Sequence, residues 1–388
     1  MNRRKVTVVA AAVGVVAGAA GLGLLAMPAG AGPAPVLPDV SAEALVESVL
    51  QAKPAAFGGT VDVDNDLGIP AIAGVPQASD GASNLRIWTD GQGKLRVQLP
   101  GGDSERTFVD DGQTAWLWNS AEQTVGKMPH GSFERTKPGL GVGRGEPDGQ
   151  QALPTDPVTL SRQVVAAIQE YSDVTVDGTA RVANRPVYEL VLTPKPTEKT
   201  VLREVRVAVD SELRMPLRVA VLTNGTDAPA VQVGFSELTV GPQDASLFAF
   251  TPPAGAKVTE PNADEPSAED KAAAEQAFTE ANPQVIGEGW DTVLAARVPA
   301  GALAGLADRQ GEQGRQGERP GRWQEDGRDA DVDVQGLLKQ LGKQVSGDWG
   351  SGTLITTRVG GVLIADDGRV AAGAVPEQVL VDAIGQVK

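Results

Sequence analysis

From Phe57 onward, apolar side chains fall on every second residue in one short run after another, and little else in the chain is patterned to pack flat against them. Leu95, Val97 and Leu99 alternate with Lys94, Arg96 and Gln98, and Trp116 and Trp118 share one side of a further run. A period of two marks half-buried strands. Asp90-Gly91, Asp103-Ser104 and Asp111-Gly112 punctuate the runs as turns, so residues 57–129 read as an antiparallel meander. Strands resume at Asp173: Thr175 to Val182, Val187 to Thr193, Val201 to Val209, Leu217 to Thr223 and Ala230 to Val240, with Asp210-Ser211 and Asn224-Gly225 as hairpin turns. Within them Tyr188, Leu190 and Leu192 point one way, as do Val205, Val207 and Val209, then Leu217, Val219 and Val221, then Val231, Val233 and Phe235. One large antiparallel sheet with a single apolar face is expected.

Only two segments of this region carry a helical period. Ser41 caps the first, with Glu43 in its first turn and Leu45, Val46, Val49 and Leu50 on one face up to about Lys53. The second starts near Thr155 or Asp156 with Pro157 in its first turn and buries Leu160, Val164, Val165, Ile168 and Tyr171. Two such helices must cover about ten strands, and a sheet of that size curls or closes when nothing flat packs on it. The expected class is α+β, a curled antiparallel β half-barrel with helices in its mouth as a lid.

Composition narrows the chemistry. Basic residues number 34 against 50 acidic, a net charge of −16, with no long Lys/Arg block, which argues against nucleic-acid binding by phosphate neutralisation. No cysteine and a single histidine exclude disulfides, thiolate metal sites, thiol nucleophiles and lipid attachment through an N-terminal cysteine. Arg3, Arg4 and Lys5 precede an uncharged apolar stretch from Val6 to about Met27, and Ala29-Gly30-Ala31 offers a cleavage site. Residues 1–31 therefore read as a signal peptide or an N-terminal anchor, and both send the protein out of the cytoplasm. Residues 32–40 form a spacer.

Residues 132–154 are rich in Gly and Pro and read as a long flap. Residues 259–284 form an Ala/Glu/Pro-rich linker, and 285–388 a small C-terminal α+β extension whose insert at about 305–330 is expected to be disordered. In that extension Val285 to Val298 holds a strand pair around Trp290, and Val334, Leu337, Leu338 and Leu341 mark a helix. Thr353 to Thr357, Val362 to Ala365 and Val370 to Ala374 read as strands, Asp367-Gly368 as a turn and Pro376 to Ile384 as a final helix.

Four features resemble reactive sites and have simpler explanations. His130 has no Gly-x-Ser-x-Gly nucleophile motif with it and reads as a solvated loop residue. Asp62, Asp64 and Asp66 alternate before Gly68, but position twelve from Asp62 is Ala73 rather than an acid, so a solvated strand face fits better than a calcium loop. Gly139, Gly141, Gly143 and Gly145 lack the Gly-Lys-Ser/Thr tail of a phosphate loop. Asn224-Gly225-Thr226 fits a glycosylation sequon that a hairpin turn already explains. No catalytic residue, metal or cofactor is assigned.

Several runs together resemble a known family. These are Gly178 through Val182, Asn184-Arg185-Pro186, Tyr188-Glu189-Leu190 and Leu192-Thr193-Pro194, then Asp210 and Met215-Pro216-Leu217-Arg218-Val219. The closing run is Phe248-Ala249-Phe250-Thr251-Pro252-Pro253-Ala254-Gly255-Ala256-Lys257-Val258. In order and spacing, residues 41–258 resemble LolA-type and RseB-type envelope proteins (the LolA-LolB-LppX superfamily) of actinobacterial type. The resemblance implies an unclosed half-barrel with a helical lid and an apolar cavity. It further implies a non-enzymatic carrier of acylated lipoproteins or lipids at a membrane surface, or an RseB-like sensor that binds a membrane anti-sigma factor. The alternating side chains expected to line that cavity are Leu95, Val97, Leu99, Trp116, Trp118, Tyr188, Leu190, Leu192, Val205, Val207, Leu217, Val219 and Val221.

Overall fold

The computed structural model describes residues 35–69, 81–101, 104–130, 168–260, 276, 279–298 and 342–387. The sequence expectations for the N-terminal segment, the 132–154 flap with its glycines, the start of the second helix, the 305–330 insert and the 334–341 helix lie outside the described residues. The chain divides into two compact units: residues 1–65, 81–195 and 203–265 form one, and 66–80, 196–202 and 266–388 the other.

The first unit opens with α1 (Ala42–Leu50), where the Ser41 side chain accepts the Ala44 N–H at 3.2 Å and so satisfies one orphan donor of the first turn. The strands that follow are β1 (Phe57–Asn65), β2 (Gly81–Thr89), β3 (Leu95–Gly101), β4 (Ser104–Asp110), β5 (Thr114–Asn119) and β6 (Thr124–Pro129). After the helical residues 168–171 come β7 (Ser172–Val182), β8 (Arg185–Pro194), β9 (Leu202–Asp210), β10 (Pro216–Thr223), β11 (Val231–Val240) and β12 (Lys257–Thr259). They build one 12-stranded sheet in the order β12-β6-β5-β4-β3-β2-β1-β11-β10-β9-β8-β7. Its two outer strands do not pair, so the sheet is not closed.

The sheet is curled. At normal strand spacing β7 and β11 would lie about 19 Å apart with three strands between them, yet they approach one another. Val182, Val187, Ala208 and Leu217 fill that end as one apolar cluster, with Phe235 and Leu238 packed against it.

Two expectations need correction. The sheet does not have a single apolar face throughout, because in β8 Val187, Glu189 and Val191 are buried as well as Tyr188, Leu190 and Leu192. The bend gives the second set its own cover. Nor is the sheet wholly antiparallel: β12, three residues long and too short to show a period, runs parallel to β6, with Lys257 opposite Thr124.

The β9–β10 turn is fixed by a buried carboxylate. Asp210 is completely buried and ion-paired with Arg185, and it also accepts the N–H groups of Glu212 at 2.9 Å and Leu213 at 2.7 Å. Burial pushes its pKa up, but the Arg185 guanidinium and the two backbone donors outweigh this and hold it below the ordinary carboxylate value.

The second unit has its own sheet, β13 (Gln284–Ile286), β14 (Val293–Arg297), β15 (Lys343–Gly347), β16 (Gly350–Thr357), β17 (Gly360–Ala365) and β18 (Arg369–Gly373), in the order β13-β14-β18-β17-β16-β15. Gly368 takes φ +88° in the turn between β17 and β18, a conformation that favours glycine. The closing helix α2 (Glu377–Ile384) buries Leu380, Ala383 and Ile384 in a core with Leu354, Leu363 and Ala371. Arg369 threads this core, donating to the carbonyls of Trp349 at 2.5 Å and Ile384 at 2.9 Å.

Asp210→Asn is expected to destabilise the first unit by about 3 kcal/mol, the scale of a broken buried ion pair, measured by urea unfolding at neutral pH. Because the Asp210 pKa is depressed in the folded state, its contribution is complete above the ordinary carboxylate range and lost as pH falls through the folded value. The variant should therefore show less acid-dependence than the parent protein.

Candidate functional site

The site is built on β7, β8 and β9. Register places Val174, Leu192 and Val205 in one row across these strands, Val176, Leu190 and Val207 in the next, and Thr179, Tyr188 and Val209 in a third. Opposed residues share a face, so these rows form a continuous wall. Tyr188, Leu190, Leu192, Val205 and Val207 are all buried.

A single length of backbone contributes to that burial. The Tyr188 hydroxyl donates to the Pro38 carbonyl at 2.9 Å and the Thr179 hydroxyl to the Pro35 carbonyl at 2.6 Å, which straps residues 35–38 across the wall. The strap leads into α1, which lies against β7 and whose Leu45 is wholly buried. Proline carbonyls suit this use, since the residue brings an acceptor and no N–H that would need a partner. Gln169 donates to Glu43 of α1 at 2.9 Å, and Lys195 donates to the carbonyls of Gln169 and Glu170, which places a cation at the end of the 168–171 helical turn. The Arg214 guanidinium sits 5.4 Å from the centre of the Tyr188 ring.

The other expected lining residues divide by face. Val219 and Val221 oppose Val233 and Val231, Val233 opposes Val63, Val63 opposes Ser83, and four residues further along β2, on the same face, Ile87 opposes Val97. Leu95, Val97 and Leu99 therefore share one face with Val219 and Val221. Glu189, Arg206, Arg218 and Ala220 line one depression on the opposite side, so the Tyr188 wall belongs to the same face as Val219. Leu217, next to the turn, packs instead with Val187 and Ala208.

Trp116 and Trp118 lie on the other side. Trp116 stands opposite Val109, and Val109 opposite Arg96, whereas Val97 aligns with Phe108 and Leu117. Adjacent residues of a strand face opposite ways, so the tryptophans cannot line one surface with Leu95, Val97 and Leu99. Trp116 packs 5.7 Å from Phe250, and Arg96 donates to the Leu247 carbonyl at 3.1 Å. The segment that closes the unit thus lies on the tryptophan face, where Phe248 is buried.

Sequence reasoning missed Thr179 and the strap, because hydrogen bonds to proline carbonyls leave no periodic signal. It also missed Leu117, which is 45% exposed beside Leu99 at 44% and leaves this part of the wall face accessible. His130 is half-exposed, and its Nδ1 lies 2.7 Å from buried Asp110. Asp110 also accepts the Gly112 N–H, so the pair secures the β4–β5 turn. Asp62 and Asp64 occupy alternate positions of β1, and among the described residues no group of three or more His, Cys, Asp or Glu is placed to hold a metal.

Residues 76–260 match a family model described as "Predicted periplasmic protein (DUF2092)". No curated protein sequence matches the chain. Among solved structures it is similar to the complex of Pseudomonas aeruginosa MucA/MucB, at 14% identity and a TM-score of 0.37, covering 88% of this chain and 96% of that one. It is also similar to the LolA superfamily protein NE2245 from Nitrosomonas europaea, at 10% identity and a TM-score of 0.22, covering 55% and 99%. A third is a putative outer membrane lipoprotein-sorting protein domain from Vibrio parahaemolyticus, at 10% identity and a TM-score of 0.20, covering 52% and 92%. Among the described residues no helix is long and apolar enough to cross a membrane.

Tyr188→Phe removes the hydroxyl that holds Pro38 and should cost about 1 kcal/mol, the net worth of one such hydrogen bond. Amide hydrogen exchange should accelerate across residues 36–50 and stay unchanged in β16 and β17.

Proposed function

We propose that the first unit is a non-enzymatic, extracytoplasmic binding module that holds the acyl chain of a lipoprotein or lipid against the wall face of its half-barrel. The observation that carries this reading is the nature of the cover over Tyr188, Leu190 and Leu192. It includes a strap held at two carbonyls and one short helix, none of which is a strand of the sheet. In this reading α1 is the lid, and an entering chain displaces it and occupies the same aliphatic surface. Leu99 and Leu117, already half in solvent, mark where the chain first makes contact. The extracytoplasmic assignment follows the basic-then-apolar N-terminal segment and agrees with the description of the matching family model.

A second reading is that occupancy of the same wall is sensed rather than transported, with a membrane anti-sigma factor as the partner. The presence of a separate second unit with its own core favours it, because holding an acyl chain does not require that unit. Co-purification with such a membrane protein supports sensing; transfer of a lipidated cargo between membranes supports carriage.

The full chain should take up a fluorescent fatty acid, and Leu117→Asp should weaken uptake at least tenfold. Leu294→Asp, at an exposed position in the second unit, should leave uptake unchanged. Absence of uptake by the parent protein, together with no acyl species in organic extracts of natively purified material, would remove the acyl-binding reading.

A further inference from the structure

Opposite the wall face, β7–β11 carry a depression of about 570 Å³. In a chain with 50 acidic and 34 basic residues, it brings together three arginines, Arg203, Arg206 and Arg218. They are not equivalent. Arg218 is committed to Glu189 at 2.5 Å, and both side chains are almost wholly buried. Arg206 donates through Nε to Glu204 at 2.9 Å, and this hydrogen bond, against the cost of burial, holds its pKa above the ordinary value.

Arg203 is the incompletely satisfied member. Its Nη1 donates to Asp227 at 2.9 Å and its Nη2 lies 3.5 Å from Glu204, which Arg206 already engages. The Arg203 Nε is buried with no acceptor. A buried donor without a partner carries its full desolvation cost. Asp227 itself is fully exposed, in the connection between β10 and β11, and reaches the rim of the depression through this ion pair. Beneath the arginines the floor is apolar, formed by Ala220 and Leu222.

We propose that this depression is a binding site for a small organic anion, a carboxylate or phosphate group carried on a compact apolar body. Asp227 acts as the internal stand-in for that group. The incoming oxyanion replaces the Asp227 carboxylate at the Arg203 Nη1, where the planar guanidinium end suits carboxylate and phosphate oxygens alike. The apolar body lies on Ala220 and Leu222, and the volume falls within the usual range for small-molecule sites. Because the depression is on the opposite face from Tyr188 and Leu190, this site is independent of acyl binding.

The test is calorimetric titration of the full chain with phenyl phosphate, benzoate and inorganic phosphate in turn. Phenyl phosphate or benzoate should bind, and the tighter of the two identifies the oxyanion as phosphate or carboxylate. Arg203→Gln should weaken the interaction about tenfold. Asp227→Asn should tighten it several-fold, because the competing carboxylate is gone; a purely structural ion pair would not give that gain. Affinity should also fall with added salt. Failure of both organic anions to bind at millimolar concentration overturns the proposal, and so does an affinity that neither variant changes. Inorganic phosphate binding as tightly as phenyl phosphate overturns the role of the apolar floor.

Discussion

A sheet of twelve strands that does not close has more aliphatic surface than the helices among the described residues of the first unit can hide, and the described architecture of the unit follows from that. Bending is one answer: it brings β7 toward β11 and lets Val182, Val187, Ala208 and Leu217 bury one another. Laying single lengths of chain over the sheet is the other. The 35–50 segment serves the wall face at β7 and β8, and the segment through Phe248 and Phe250 serves the tryptophan face at β3 to β5. Neither cover has the area of a second sheet, which is why Leu99 and Leu117 remain half in solvent.

Register turns that sheet into two chemically different surfaces. A slip of one residue in β8 would move Glu189 onto the aliphatic wall and Tyr188 onto the charged side, so the pairing is held by the cost of burying an unpaired charge as well as by packing. Glu189 with Arg218 and Asp210 with Arg185 each join side chains far apart in sequence. Asp210 also closes its own turn.

Most of the strand plan was legible because period-two alternation survives wherever one side of a strand is more apolar than the other. Val201 to Val209, Leu217 to Thr223 and the turn at Asn224-Gly225 appear in the fold close to where the pattern puts them. Alternation alone, however, says which residues of one strand share a side and not how neighbouring strands align. That is why Leu95, Val97 and Leu99 and the pair Trp116 and Trp118 were assigned to one cavity, although β4, a strand lying between them, sets them on opposite faces. Short strands escaped for a different reason: Lys257–Thr259 and Lys343–Gly347 carry too few apolar residues to show any period. The strap was invisible because its bonds join Thr179 and Tyr188 to backbone carbonyls about 150 residues away, and any residue type supplies a carbonyl.

The energetics of cover and cargo make exchange feasible in the proposed acyl-binding role. Two hydroxyl-to-carbonyl bonds are worth about 1 kcal/mol each, and full burial of a leucine such as Leu45 about 1.5–3 kcal/mol. Freeing the strap also returns backbone entropy, roughly 1–2 kcal/mol for each residue released. Each strap residue released thus offsets about one of these hydrogen bonds. An acyl chain entering in its place gains about 0.8 kcal/mol for each methylene removed from water, so a handful of methylenes is enough to compensate for the lost lid contacts. A tightly packed second sheet in the same position would have made the wall stable and inaccessible. In the proposed role, a cover of one strap and one short helix would leave the wall available to a ligand of sufficient length.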